Sequence, residues 1–170
     1  MIALDLDGTL LDYSPASGAP RVNPAAIDML IARGVSRVAI VTNQGGLPFG
    51  VAGKRRKDGQ PYPTPAQFCA RLDAAHRALT RRGIHIIAVR ASCWHAYADP
   101  ATIQLAARQV RDFGRGFGSD WTVYATERAR KPAAFMLHSV GATEYWGDSP
   151  EDAQAAANAG ISFVAVQRFV

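Results

Sequence analysis

The stretch Met1–Asp12, MIALDLDGTLLD, decides how the rest of the chain is read. A short apolar strand, Ile2 to Leu6, stops at two acids spaced i,i+2, Asp5 and Asp7, and Gly8 and Thr9 follow at once. Two carboxylates on one side of an extended chain repel each other and are costly to desolvate. They need a cation or hydrogen-bond donors supplied by the later residues. The plain alternative is an acidic turn with Asp-Gly as its corner.

A chain of 170 residues is long enough for one compact domain with a substantial core and short for two. With 48% hydrophobic and 19% charged residues it reads as a folded protein, not a disordered one. The net charge of +5 and the pI near 9.6 favour anionic partners: phosphate compounds, nucleic acid or acidic surfaces. Cys69 and Cys93 are too few for a disulfide framework, and no charged leader with an apolar core precedes the first strand. No apolar run reaches the ~18 residues that a membrane span needs. The expectation is a cytoplasmic protein with no membrane partner, and its oligomeric state is not specified.

Strands and helices alternate along the chain. A Pro-, Ser- and Gly-rich loop over Ser14–Pro20 leads to Asn23-Pro24, an N-cap and first-turn proline for a helix ending at Gly34. A buried strand over Arg37–Val41 runs into Thr42-Asn43-Gln44-Gly45-Gly46. Leu47–Pro63, with Lys54-Arg55-Arg56-Lys57 inside it, reads as one long exposed loop. Thr64 to Gln67 fits a capping box, and Phe68, Leu72, Ala75 and Leu79 recur on one helical face up to Gly83. Ile84–Val89 reads as a third strand, Asp99-Pro100 opens a helix that dissolves at Gly114, Gly116 and Gly118, and Trp121–Ala125 reads as a short strand. Lys131-Pro132 starts a short helix to Gly141. A strand near Glu144–Trp146 meets Gly147-Asp148-Ser149-Pro150-Glu151-Asp152, and after an Ala-rich helix Ile161–Val166 forms the last strand.

Apolar strands separated by helices imply an α/β fold, a Rossmann-like three-layer α/β/α arrangement with a mostly parallel sheet. Ligands of such sheets bind beyond the carboxyl ends of the strands. Asp5 and Asp7, Thr42 and Asp148 each follow a strand, and Lys131 precedes a helical turn where backbone N–H groups favour anions.

These motifs resemble, in order and over essentially the full chain, those of haloacid dehalogenase superfamily phosphatases. Asp5-Leu-Asp7-Gly-Thr9 resembles the first motif, Thr42 the second, Lys131-Pro132 the third and Gly147-Asp148 to Asp152 the fourth. Thr42-Asn43-Gln44-x-Gly46 with Arg130-Lys131-Pro132 resembles the branch holding histidinol-phosphate phosphatases, heptose bisphosphate phosphatases and polynucleotide kinase 3′-phosphatase domains. The resemblance implies a single phosphatase domain over residues 1–170, with the long basic loop at about 47–63 and an insert at about 91–128. No large cap domain fits between the first two motifs.

A phosphomonoester resists an anionic nucleophile unless cations neutralise its oxygens. On the resemblance, Asp5 is the nucleophile that forms an aspartyl phosphate, and Asp7 protonates the leaving oxygen and then deprotonates the water. Mg²⁺ would be held by Asp5, the main-chain carbonyl of Asp7 and Asp148, with Asp152 behind them or capping its helix through Ser149. Thr42 and Lys131 would hold the phosphoryl oxygens, with backbone N–H groups of Asn43 and Gly8 as further donors.

Related zinc-loop phosphatases carry Cys-x-His here and Cys-x-Cys before Arg-Lys-Pro. This chain has Cys93-Trp94-His95 but Thr126–Arg130 at the second place, so a four-ligand zinc site of that kind is not expected. The insert carries Trp94, Tyr97, Trp121 and Tyr124 with Arg108, Arg111 and Arg115, which suit either a single-stranded nucleic-acid end or packing onto the sheet. The substrate is thus a phosphorylated small molecule or a nucleic-acid end. A silent phosphate or nucleic-acid binder and a receiver domain are the competing classes.

Overall fold

Six parallel strands form one sheet in the order β4-β3-β2-β1-β5-β6. They are β1 (Ile2–Leu4), β2 (Arg37–Asn43), β3 (His85–Ser92), β4 (Asp120–Tyr124), β5 (Glu144–Gly147) and β6 (Ser162–Ala165). The helices are α1 (Pro24–Ala32), α2 (Leu47–Val51), α3 (Pro65–Thr80), α4 (Pro100–Gly114), α5 (Phe135–Ser139) and α6 (Pro150–Ala159). This is a computed structural model, and it describes residues 1–12, 19–114, 117 and 120–170. Most of the loop read over Ser14–Pro20 lies outside the described residues, as do Arg115, Gly116 and Gly118.

Alternation along the strands sorts the core into two faces. Leu4, Val38, Ile40, Val89, Ala91 and Trp146 join Leu30, Phe68, Leu72 and Val110 in one cluster. Ala3, Ala39, Val41, Ala88 and Tyr145 join Met136, Leu137, Ala155 and Ala156 in the other. Each buried large side chain stabilises the fold by about 1.5–3 kcal/mol. The second face is lined mostly by alanines. Such short side chains let α5 and α6 pack close to the strands that carry the polar residues.

Local chemistry sets the helix starts. Asn23 Oδ1 accepts the N–H groups of Ala25 and Ala26 at 3.1 and 3.4 Å, while its Nδ2 donates to the Thr9 carbonyl at 2.9 Å. Thr64 and Gln67 close the expected capping box. Caps of this kind contribute about 1 kcal/mol each.

Three features differ from the sequence reading. β1 ends at Leu4, although the Asp5 N–H continues its ladder to the Trp146 carbonyl at 2.9 Å. The segment over Leu47–Pro63 is not one loop: it contains α2, whose Leu47 and Pro48 are buried, and a small turn closed by an Arg55–Pro61 bridge. Buried Leu47 and a first-turn proline outweigh the poor helix propensity of Pro and Gly. The helix and short strand expected within 91–128 are present as α4 and β4, an edge strand that pairs with β3 from Ala88–Asp120 to Ser92–Tyr124. Lastly, α5 begins at Phe135, so Lys131 does not precede a helical turn. No helix among the described residues is long and apolar enough to cross a membrane.

β1 lies between β2 and β5, so the chain leaves it towards opposite edges of the sheet. That reversal opens a crevice at the carboxyl ends.

Candidate functional site

Because all paired strands are parallel, the loops after them emerge along one edge. There they border a cleft of about 710 Å³ lined by Asp5, Asp7, Thr42, Lys131, Asp148 and Asp152 among others. At its floor the Lys131 ammonium donates to Asp5 Oδ1 at 2.7 Å, Tyr145 Oη at 2.8 Å and Asp152 Oδ1 at 2.5 Å. Its backbone is clamped too. Asn43 Oδ1 accepts the Lys131 N–H at 3.0 Å, and Asn43 Nδ2 donates to the Lys131 carbonyl at 3.2 Å. A residue on β2 thereby fixes a loop 88 positions away.

Asp152 caps α6 and also faces the cluster. Oδ2 accepts the Ser149 N–H at 3.2 Å within a complete capping box, and Oδ1 faces Lys131 and, at 3.0 Å, the Tyr145 hydroxyl. Asp148 is held differently, with its Oδ2 accepting from Arg168 Nε at 2.5 Å. Gly8 makes this approach possible: its φ is +93°, and a Cβ there would lie 2.5 Å from Asp148 Oδ2.

Asp7 points away from this cluster. Its Oδ2 accepts from Gln44 Nε2 at 2.7 Å and its Oδ1 from Arg71 Nη2 at 2.8 Å. Gln44 also donates to Thr42 Oγ1 at 3.0 Å, and Arg71 reaches Asp12 Oδ1 at 3.5 Å. The Gly8 N–H is bonded to the Leu11 carbonyl at 2.8 Å, so the expected backbone donor to phosphate is already engaged.

Burial pushes the Asp5 carboxyl up to about 7, with Lys131 pulling it down and Asp152 adding to the rise. Burial works against the Lys131 ammonium, yet Asp5, Tyr145 and Asp152 outweigh it and hold the group well above the usual lysine range. Burial also opposes the Asp152 carboxylate, and Lys131, Ser149 and Tyr145 overcome this and keep it low. The floor therefore holds more carboxylate than Lys131 alone compensates.

That excess fits a divalent cation. Oxygens of Asp5, Asp148 and Asp152 lie within 4.8 Å of one another, and an all-carboxylate set suits a hard ion that keeps some of its waters. The trio includes two of the expected ligands, Asp5 and Asp148, and Asp152, expected behind them, lies in the same cluster.

Sequence reasoning missed Gln44, Arg71, Tyr145 and Arg168. Arg71 was legible in principle, lying three residues after Phe68 on the inner side of α3. Tyr145 is fully buried on β5, beside the equally buried Trp146 on the opposite face, so its hydroxyl was hidden in an apolar run.

The same fold occurs in the D,D-heptose 1,7-bisphosphate phosphatase of B. bronchiseptica, solved with magnesium and phosphate. The match covers 99% of this chain and 80% of that one, at a TM-score of 0.60 and 22% identity. What the two share is the fold, a three-layer α/β arrangement around a parallel sheet. No family model matches the sequence, and no curated protein matches it. The strand order sets β1, β2 and β5 side by side, which is why the segments that follow them meet here.

Proposed function

We propose that the protein is a Mg²⁺-dependent phosphomonoesterase in which Asp5 forms an aspartyl phosphate. The carrying observation is the Lys131 ammonium bonded to Asp5 at the closed end of the cleft, beside three clustered carboxylates. A receiver domain places its phosphorylated Asp on a later strand, and a silent binder has no need of that cluster.

Lys131 and the Thr42 hydroxyl hold the phosphoryl group against Asp5. An Asp5 oxygen forms a bond to phosphorus as the phosphorus–oxygen bond to the leaving group breaks, and Asp7 gives its proton to the departing oxygen. Asp7 then takes a proton from water, whose oxygen attacks phosphorus and releases phosphate and the Asp5 carboxylate. Asp7 must let go of Gln44 or Arg71 whenever it carries the proton. Asp5 and Asp148, with Asp152 and the Asp7 carbonyl, would hold Mg²⁺, which neutralises phosphoryl oxygens when bound.

A phosphorylated small molecule draws support from the fold shared with a sugar bisphosphatase. A polynucleotide 3′-phosphate draws support from the basic rim over Lys54–Lys57 and the net charge of +5. The buried thiols of Cys69 and Cys93 suit a reducing cytoplasm. The test is hydrolysis of an aryl phosphate with Mg²⁺. Asp5→Asn should lower kcat by at least about 10³-fold, and a variant that keeps most of its turnover would end the mechanism.

A further inference from the structure

Beyond the floor, the cleft has a second set of residues that phosphoryl transfer does not use. Arg56, Tyr62, His95 and Arg130 line it. The rings form a continuous shelf: Phe49 lies 5.0 Å from Tyr62 and 4.9 Å from His95, and Tyr97 lies 5.7 Å from His95, between ring centroids. Burial, with the charge of Arg130 beside it, holds the His95 imidazole below its ordinary range, which leaves the ring neutral near pH 7.

The shelf lies next to the floor. Gly45 comes three residues after Thr42, a reach of at most about 11 Å. A Cβ at Gly45 would stand 2.7 Å from Arg130 Nη1 and 3.2 Å from His95 Cδ2, so the backbone leaving Thr42 is pressed against the shelf. Thr42, Lys131, Arg56, Tyr62 and His95 thus line one and the same cleft.

Two observations go beyond mutual packing. Tyr97 is 87% exposed at the outer end of the shelf, although its neighbour His95 lines the cleft. In the run Lys54-Arg55-Arg56-Lys57, Arg56 alone is half-buried and turned into the cleft. Its guanidinium has no hydrogen-bond or ion-pair partner among the described residues. An unpaired guanidinium in the same cleft as these tilted and edge-on rings suits an anion next to a planar group.

We propose that Arg56, Tyr62, His95 and Tyr97 form a leaving-group subsite for a planar heteroaromatic ring with a second anion beyond it. That is the chemistry of a nucleotide with two phosphates, as a nucleoside bisphosphate or as the phosphorylated end of an oligonucleotide. The assignment rests on the phosphomonoesterase reading above. It differs from a sugar bisphosphate, which offers two anions and no aromatic ring.

The test compares kcat/KM with Mg²⁺ for glycerol 2-phosphate, ribose 5-phosphate, adenosine 3′-phosphate and a 3′-phosphorylated dinucleotide. Adenosine 3′-phosphate should exceed glycerol 2-phosphate and ribose 5-phosphate, which are free of an aromatic ring, by about tenfold or more, and Tyr97→Ala should remove most of that ratio. Arg56→Ala should lower the value for whichever substrate carries the second phosphate. A higher value for the dinucleotide that Arg56→Ala removes assigns Arg56 to the next phosphate of a chain, and equal values for the two nucleotides overturn the second-anion site. Arg81→Ala, exposed at the C-terminal end of α3, should leave the ratio as it is. Equal kcat/KM for esters with and without an aromatic ring, or a ratio that survives Tyr97→Ala, overturns the subsite while leaving the phosphatase reading intact. Should no ester turn over, binding still decides: Asp5→Asn protein must bind adenosine 3′-phosphate more tightly than ribose 5-phosphate by calorimetry. Equal binding overturns the proposal.

Discussion

At the floor of the cleft Lys131 is 3% exposed, and its ammonium has three partners carried by strand ends and by the first turn of α6. At the rim Tyr97 is 87% exposed, and its ring touches that of His95. The floor holds charge in fixed directions within a desolvated site, where a displaced group costs several kcal/mol. The rim offers surface that a ligand can cover, and little of the fold depends on it. In the proposed function and subsite, positioning of the phosphoryl group and choice of the leaving group are separated in space.

The largest effect expected from breaking this division is at the floor. Lys131→Ala leaves Asp5 and Asp152 facing each other without their shared cation. It should cost about 3–5 kcal/mol of stability, read by urea unfolding, together with nearly all turnover. A Tm within a degree of the wild type would show that the cage does not hold the floor. Asp152→Asn keeps the shape but weakens the grip on Lys131, and should lower kcat by about 10–100-fold with a smaller loss of stability. Gly8→Ala puts a Cβ against Asp148 at a positive φ and should destabilise by about 1–3 kcal/mol, with weaker Mg²⁺ binding by calorimetry. Saturating Mg²⁺ should stabilise the wild type by about 2.7 kcal/mol at a hundred times its Kd, and Asp148→Asn should abolish that gain. The smallest change is expected at the rim: Tyr97→Ala should stay within about 0.5 kcal/mol of the wild type.

Much of the floor was legible in the sequence because its residues sit at ends of apolar strands. Asp5, Thr42 and Asp148 can be placed by counting alternation and asking which polar residue interrupts or ends it. Lys131 is found by motif and misplaced by context, since the turn over Pro132–Ala134 separates it from α5. Side-chain bridges were not legible. Nothing in Gln44 announces that it links Thr42 to Asp7, and Asn43, expected to act through its backbone, in fact clamps Lys131 with its amide. The rim was hidden for another reason. Phe49, Tyr62 and His95 come from segments without periodicity, and contacts between irregular segments leave no repeating pattern to read.

Asp152 ties two selective demands to a single side chain. One oxygen closes the start of α6 and the other holds the lysine, so no substitution at this position can be screened for thermal tolerance without also being screened for turnover. Any redesign that strengthens this helix must begin after its third residue. A lineage that lost the chemistry would retain pressure to keep the acid, because the helix would still need its cap.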